Sequence, residues 1–316
     1  MKKMLNKILY GLLWTVWYML SLLPLRVHYM FADAMYLLIA HVLKYRRKVI
    51  IKNLTNAFPE KSDAERERIM RDYYHFFCDY IAETLKFGTM SQESVKRHMV
   101  FKGADEVSQI VNEGQSVALF LGHYGNWEWV TSIMLWFDKI NRPTGYGHIY
   151  HPLENEAMDK LFLTFRNRMG STSVPMRETL RWIIGHKREG RPTILGYIAD
   201  QVPTWENIHH WLTFFNQETP VFTGVERIAR SQDQAVVYID IKRIKRGYYE
   251  CDMQVVTRDP KSWEENEITN ECFRRLETTI RRAPQYWLWS HNRWKRTREE
   301  FDRNYNVVNG RVVKKQ

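Results

Sequence analysis

Apolar positions in the first 43 residues come in two long runs, not at regular intervals. "ILYGLLWTVWYMLSLLPL", Ile8 to Leu25, holds 18 residues without a charge and follows Lys2, Lys3 and Lys7. That length is at the lower end of the ~17–25 residues that span a bilayer. No small-residue cleavage site follows closely, and Trp14, Trp17 and Tyr18 suit a membrane interface better than a removed leader. The second run, "MFADAMYLLIAHVL", ends at the basic cluster Lys44 to Lys48. Together the runs predict a membrane anchor, either one span or a hairpin held in one leaflet. A buried helix pair is the plainer alternative. Residues 1–43 are therefore read as an anchoring region and 44–316 as the domain it carries.

Beyond Lys44 the periods shorten. "SDAERERIMRDYYHFFCDYIAETLKFG", Ser62 to Gly88, repeats apolar residues every three or four positions behind a Ser-x-x-Glu capping box, which predicts a helix. After a polar connection, "SVALFLG" is a short apolar run of buried-strand type, and Asn126 caps a helix over Trp127 to Phe137. The alternation continues: strand Arg142 to Tyr150, helices Glu154 to Met169 and Arg177 to Lys187, and strand Arg191 to Gln201. A loop containing "TPVFTG" leads to a helix over Gly224 to Arg230. Residues Gln234 to Thr257 pattern as a β-hairpin turning at Arg246-Gly247, and a last helix covers Trp263 to Arg282. This order predicts an α/β domain with a mixed central sheet flanked by helices.

Composition narrows the function classes. The 316 residues are 44% hydrophobic and carry a formal net charge of +11, with ten Lys and Arg against three Asp and Glu from Arg281 onward. A basic surface suits phospholipid, nucleic acid or an acidic protein. The tail has no RNP-like or Gly-rich pattern and is interrupted by Glu299, Glu300 and Asp302, which argues against nucleic acid. Three widely separated cysteines support neither a zinc ribbon nor a disulfide framework.

The candidate chemistry is concentrated at "LGHYGNWEW", Leu121 to Trp129. His123 directly follows one predicted strand and Asp200 another, where α/β sheets gather ligands. Gly122 and Gly125 give the loop tight geometry and room beside the imidazole. Glu128, five residues on, is placed to return and hold the far ring nitrogen, leaving the near one as a base for a hydroxyl. Asp200 is the alternative partner, because neighbouring ends of parallel strands converge; Glu128 is the preferred one. A packed loop histidine followed by a helix-dipole glutamate fits the same spacing. Neither a serine or cysteine nucleophile elbow nor a zincin spacing is present.

"LGHYGNWEW" resembles the His-x-x-x-x-Asp/Glu block of the lysophospholipid acyltransferase superfamily, and within it the late acyltransferases of bacterial lipid A biosynthesis. Four further blocks resemble that branch in order: "NLTNAFPEKS" (53–62), "YHPLENEAMDKLFLTFRNRMG" (150–170), "YIADQ" (197–201) and "YWLWSHNRWKR" (286–296). The resemblance implies an enzyme of the bacterial inner membrane, on its cytoplasmic face. Such an enzyme moves a fatty acyl chain from acyl carrier protein, or coenzyme A, to a hydroxyl of a lipid A precursor, with no metal or other cofactor. It implies His123 as general base and Glu128 as the motif's carboxylate, with Asp200 kept beside it. Arg166 and Arg168 fall in the family's arginine region and are candidate phosphate ligands. His151, Asn155, Gly125, Asn126 and Gln201 are further candidate substrate contacts, and Arg293, Lys295 and Arg296 are candidates for docking the carrier or the membrane. Other readings are another lipid acceptor (a glycolipid, lysophospholipid or amino-acid lipid), a hydrolase, and a basic membrane-tethered binding protein.

Overall fold

The computed structural model describes residues 2–308 and 310–315. It opens with helices α1 (Lys2–Leu22) and α2 (Leu25–Tyr36), the latter running into a π-helical turn, Leu37–Val42. Pro24 caps α2, and the two apolar stretches meet at a bend of 111°. No single helix among the described residues is long and apolar enough to cross a membrane.

The outer face of this pair is apolar and exposed: Ile8, Leu12, Val16 and Met19 on α1, Met30 and Phe31 on α2, then Leu37, Leu38, Val42 and Leu43. The inner face is packed. Trp17 stacks on Phe165 at 4.3 Å between ring centroids, and its Nε1 donates to the Leu85 carbonyl. Tyr10 and Leu13 complete this small apolar cluster. The α1 helix is thus both a wall of the folded core and an exposed apolar surface. Trp17→Ala is expected to lower stability by about 3 kcal/mol, the cost of emptying a buried aromatic site. Chemical unfolding of the detergent-solubilised protein measures it.

Next come α3 (Arg47–Ala57) and α4 (Asp63–Phe87). The capping box forms as expected: Ser62 Oγ accepts from Glu65 N, and the Glu65 carboxylate accepts from Ser62 N. The polar connection to the first apolar strand proves to be structured, as α5 (Gln92–His98), strand β1 (Met99–Lys102) and α6 (Ala104–Asn112). Then follow β2 (Val117–Leu121), β3 (Gly145–Tyr150), α7 (Glu156–Arg166), β4 (Thr172–Pro175), α8 (Thr179–Arg188) and β5 (Thr193–Ile198). The expected helix after Asn126 is a 3₁₀ helix, Trp129–Trp136. The loop before Gly224 holds a separate hairpin, β6 (His210–Phe214) with β7 (Gln217–Val221). The chain continues through α9 (Gly224–Gln232), the expected hairpin β8 (Ala235–Lys245) and β9 (Tyr248–Thr257), and α10 (Glu267–Arg282). It closes with α11 (Arg298–Asn304) and a small hairpin, β10 (Tyr305–Val308) with β11 (Arg311–Lys314).

Seven strands form the central sheet in the order β1-β9-β8-β2-β5-β3-β4. All neighbours are parallel except β8 and β9, so the mixed α/β fold is present. Every residue of β2 is buried, as a strand covered on both faces requires. One sheet face is covered by α8, α9 and α10, with Phe120 packing edge-on against Phe273 of α10.

Candidate active site

The register of the two central strands builds the site. Leu121 of β2 pairs with Ile198 of β5, and His123 and Asp200 each lie two residues beyond that pair. Parallel strand ends in register leave the sheet together, so the two side chains emerge side by side. Asp200 Oδ1 accepts from His123 Nδ1 at 2.6 Å, and Oδ2 accepts from the His123 backbone N–H at 2.9 Å. Trp287 Nε1 donates to Oδ2 at 2.7 Å. Gly122 permits this closeness, since a Cβ there would sit 2.7 Å from Leu276 Cδ1 and 3.2 Å from Asp200 Oδ2.

Burial works against the Asp200 charge, but attraction to His123 and three donated hydrogen bonds outweigh it and hold the carboxyl down at about 2. The folded value lies below the ordinary 3.8, so the resulting stability is complete above about pH 4 and lost as pH falls toward 2. The wild type is expected to lose about 2 kcal/mol more than Asp200→Asn across that window. Chemical unfolding at pH 5 and pH 2 checks it. With Asp200 ionised, Nδ1 is the protonated ring nitrogen and Nε2 is free to act as a base. Gln201 Nε2 lies 3.3 Å from that free nitrogen.

The preferred orienting carboxylate has to be corrected. Glu128 does not reach His123. Its Oε2 accepts from Arg166 Nε at 2.8 Å and its Oε1 from Arg166 Nη2 at 2.5 Å, a forked pair in which Glu128 is buried. The reason is local. Asn126 Oδ1 accepts from Trp129 N at 3.1 Å, closing a turn that carries Glu128 away from the sheet toward the end of α7.

His123, Glu128, Arg166, Gln201 and His151 all line one cavity of about 480 Å³, which runs along the sheet face opposite α8–α10. Its other walls are largely apolar, with Leu119, Leu121, Val130, Ile133, Met134 and Ile198 among them. His151 is at the exposed rim, Nδ1 beside its neighbour's carbonyl.

The remaining expected contacts are elsewhere. Asn155 caps α7, its Oδ1 accepting from Ala157 N and Met158 N. Arg168 donates to the carbonyls of Phe87 and Met90 and so ties down the end of α4. Gly125 has φ +60° and faces Ile241, so it serves the turn and lies outside the cavity wall. Asn126 is buried, its amide donating to Glu83 Oε2 at 2.8 Å. Glu83 also accepts from Tyr29 and Tyr249, which joins α2, α4 and β9 beneath the histidine loop.

Arg293 is also misplaced by the sequence reading. It is fully buried, donates to the Pro220 carbonyl and leaves Nε and Nη1 without partners among the described residues, so it offers no surface for docking. Arg296 is half-buried, donating to the Pro203 carbonyl over the Trp205 ring, and Lys295 is exposed. Trp287, from the last motif block, is buried and also serves Asp200. Its signal was chemical: a buried indole N–H needs an acceptor. The last motif block runs beside the histidine loop, with Gly125 N donating to the Tyr286 carbonyl and Leu288 N to the His123 carbonyl. Asn53, from the first of the four further blocks, holds the carbonyls of Trp289 and His291. Motifs far apart in sequence therefore converge on one loop.

A histidine–aspartate pair at the end of an apolar cleft, with no nucleophilic side chain hydrogen-bonded to the imidazole among the described residues, is an arrangement able to draw a proton from a bound hydroxyl or water. The family model for bacterial lipid A biosynthesis acyltransferases matches residues 2–296, and the chain belongs to that family. It is 19% identical to a lipid A biosynthesis acyltransferase of Haemophilus influenzae, over 87% of this chain and 86% of that protein. It is 23% identical to the lipid A biosynthesis palmitoleoyltransferase of Escherichia coli over 80% of each. A third relative is lipid A biosynthesis acyltransferase 2 of Shigella flexneri, 20% identical over 78% of this chain and 76% of that one.

Proposed function

We propose that the protein transfers a fatty acyl chain from a carrier thioester to a hydroxyl of a lipid A precursor, at the cytoplasmic face of the inner membrane. The observation that supports it most is the His123–Asp200 pair at the mouth of the apolar cavity. The acceptor hydroxyl takes the place beside His123 Nε2 that Gln201 now approaches. Its oxygen forms the new bond to the thioester carbonyl carbon while its proton moves to Nε2. Asp200, ionised and fixed by three donors, stabilises the imidazolium that results. Collapse of the tetrahedral intermediate breaks the carbon–sulfur bond, and the proton on Nε2 leaves with the thiolate. Products are an ester and a free thiol, with no oxidant and no acyl-enzyme.

The exposed apolar face of α1, α2 and the turn after them supports interfacial binding in one leaflet. The 111° bend and the packing of Trp17 against α7 favour that arrangement over a span. The basic surface, which includes Lys295, suits both lipid phosphates and an acidic carrier protein as donor. Mass spectrometry of membrane lipids from cells with and without the protein tests the reading. The expected result is one added acyl mass on lipid A, absent with His123→Ala; an unchanged lipid A profile overturns it.

A further inference from the structure

The cavity wall has a polar station that the acyl-transfer reading does not use. Register places Leu119 beside Gly196, Gly196 beside His148, and His148 beside Ser173, so these residues share one row of the sheet. Leu119, Gly196 and His148 all line the cavity. Gly196 has no side chain, so the floor dips between Leu119 and the imidazole.

Counting protons shows what this station offers. Asn167 Oδ1 accepts from both the backbone N–H of Ser173, at 2.9 Å, and the Ser173 hydroxyl, at 2.7 Å. That hydroxyl has one proton, so toward His148 Nε2, 2.6 Å away, it only accepts. Nε2 is therefore protonated and Nδ1 carries the lone pair. Ser171 Oγ lies 3.3 Å from Nδ1 and 3.2 Å from the Arg166 carbonyl, again with one proton for two acceptors. Every donor of His148, Ser171 and Ser173 is used, and what these three side chains leave over is lone pairs. Burial, with Arg166 nearby and only partly offset by Glu128, pushes the His148 imidazole down to about 4, which keeps it neutral.

An acceptor-only station in an apolar cleft favours a ligand that brings an O–H. His148 is two strands across from β2, roughly 10 Å, and its row lies roughly 7 Å below the Leu121–Ile198 row. A chain whose carbonyl sits at His123 therefore reaches the station well past its first carbons. Resting on the acyl-transfer reading above, we propose that His148 and Ser171 select a fatty acyl chain carrying a hydroxyl some way along its length over a plain chain of equal size. A plain chain strands a buried acceptor, which penalises it by about 5- to 100-fold.

The test uses the full-length detergent-solubilised protein and acyl thioesters of one length: plain, hydroxylated mid-chain, and hydroxylated at the end. A further arm pairs the plain donor with an acceptor whose own chain is hydroxylated. Product is read by mass spectrometry as relative kcat/KM. The wild type should prefer one of the hydroxylated donors by about 5- to 100-fold, and the ratio should fall toward one in both His148→Phe and the milder Ser171→Ala. A wild-type ratio at or below one overturns the proposal, as does a ratio that survives in both variants or a preference that follows the acceptor's hydroxyl. If the wild type consumes no thioester, the acyl-transfer reading fails instead. The station is then judged by binding of the free plain and hydroxylated fatty acids: tighter binding of the hydroxylated acid, lost in both variants, supports it, and equal binding overturns it.

Discussion

Asp200→Asn is expected to reduce acyl transfer by about 10²- to 10⁴-fold, the same order as His123→Ala, the usual weight of a positioned general base. The two residues act as a unit. An amide at position 200 keeps the shape of the carboxylate but presents a donor on one side, which disturbs the ring tautomer, and it gives no charge to balance the imidazolium. Glu128→Gln leaves the three bonds to Asp200 in place and should cost far less in turnover. Steady-state kinetics of the three variants, each first shown to be folded by circular dichroism, measures the order. An Asp200→Asn enzyme as fast as wild type would remove Asp200 from the chemistry.

Arg166→Ala should be the most destabilising single change in the cavity wall, by about 3 kcal/mol. It deprives Glu128, which is only 5% exposed in the folded protein, of both guanidinium bonds. A lone buried charge is costly, whereas a neutral pair is tolerated. Combining Arg166→Met with Glu128→Gln should therefore recover most of the loss. Denaturant unfolding of the single and double variants tests this, and a double variant no more stable than Arg166→Ala would mean that the unpaired Glu128 charge is not the source of the loss. The same guanidinium lines the cavity, so the double variant should still bind an anionic acceptor poorly.

Much of this protein was legible along the chain because short-range patterns decide it. The capping box at Ser62 and Glu65, the turn at Arg246-Gly247, the apolar strands ending at Leu121 and Ile198, and the histidine after the first of them all follow from local propensity and periodicity. The histidine motif and four ordered blocks carried the family. Short elements without a strong period were missed: β1, β4 and the β6–β7 hairpin are four or five residues each. Strands of that length are specified by the neighbours they pair with rather than by their own pattern.

What only the tertiary structure decided is which groups share a site. Sequence spacing favoured Glu128 because five residues are a short reach, but strand register brings Asp200 from 77 residues away to 2.6 Å. Charge likewise says nothing about exposure: Arg293 was expected on the surface and is fully buried, whereas Arg166 from the same basic inventory reaches the cavity. The two apolar runs led to the expectation of a membrane anchor, but did not say that one face of α1 would pack over Phe165. Hydrophobic pattern fixes which residues avoid water. Register and packing, which depend on the whole chain at once, fix which of them meet.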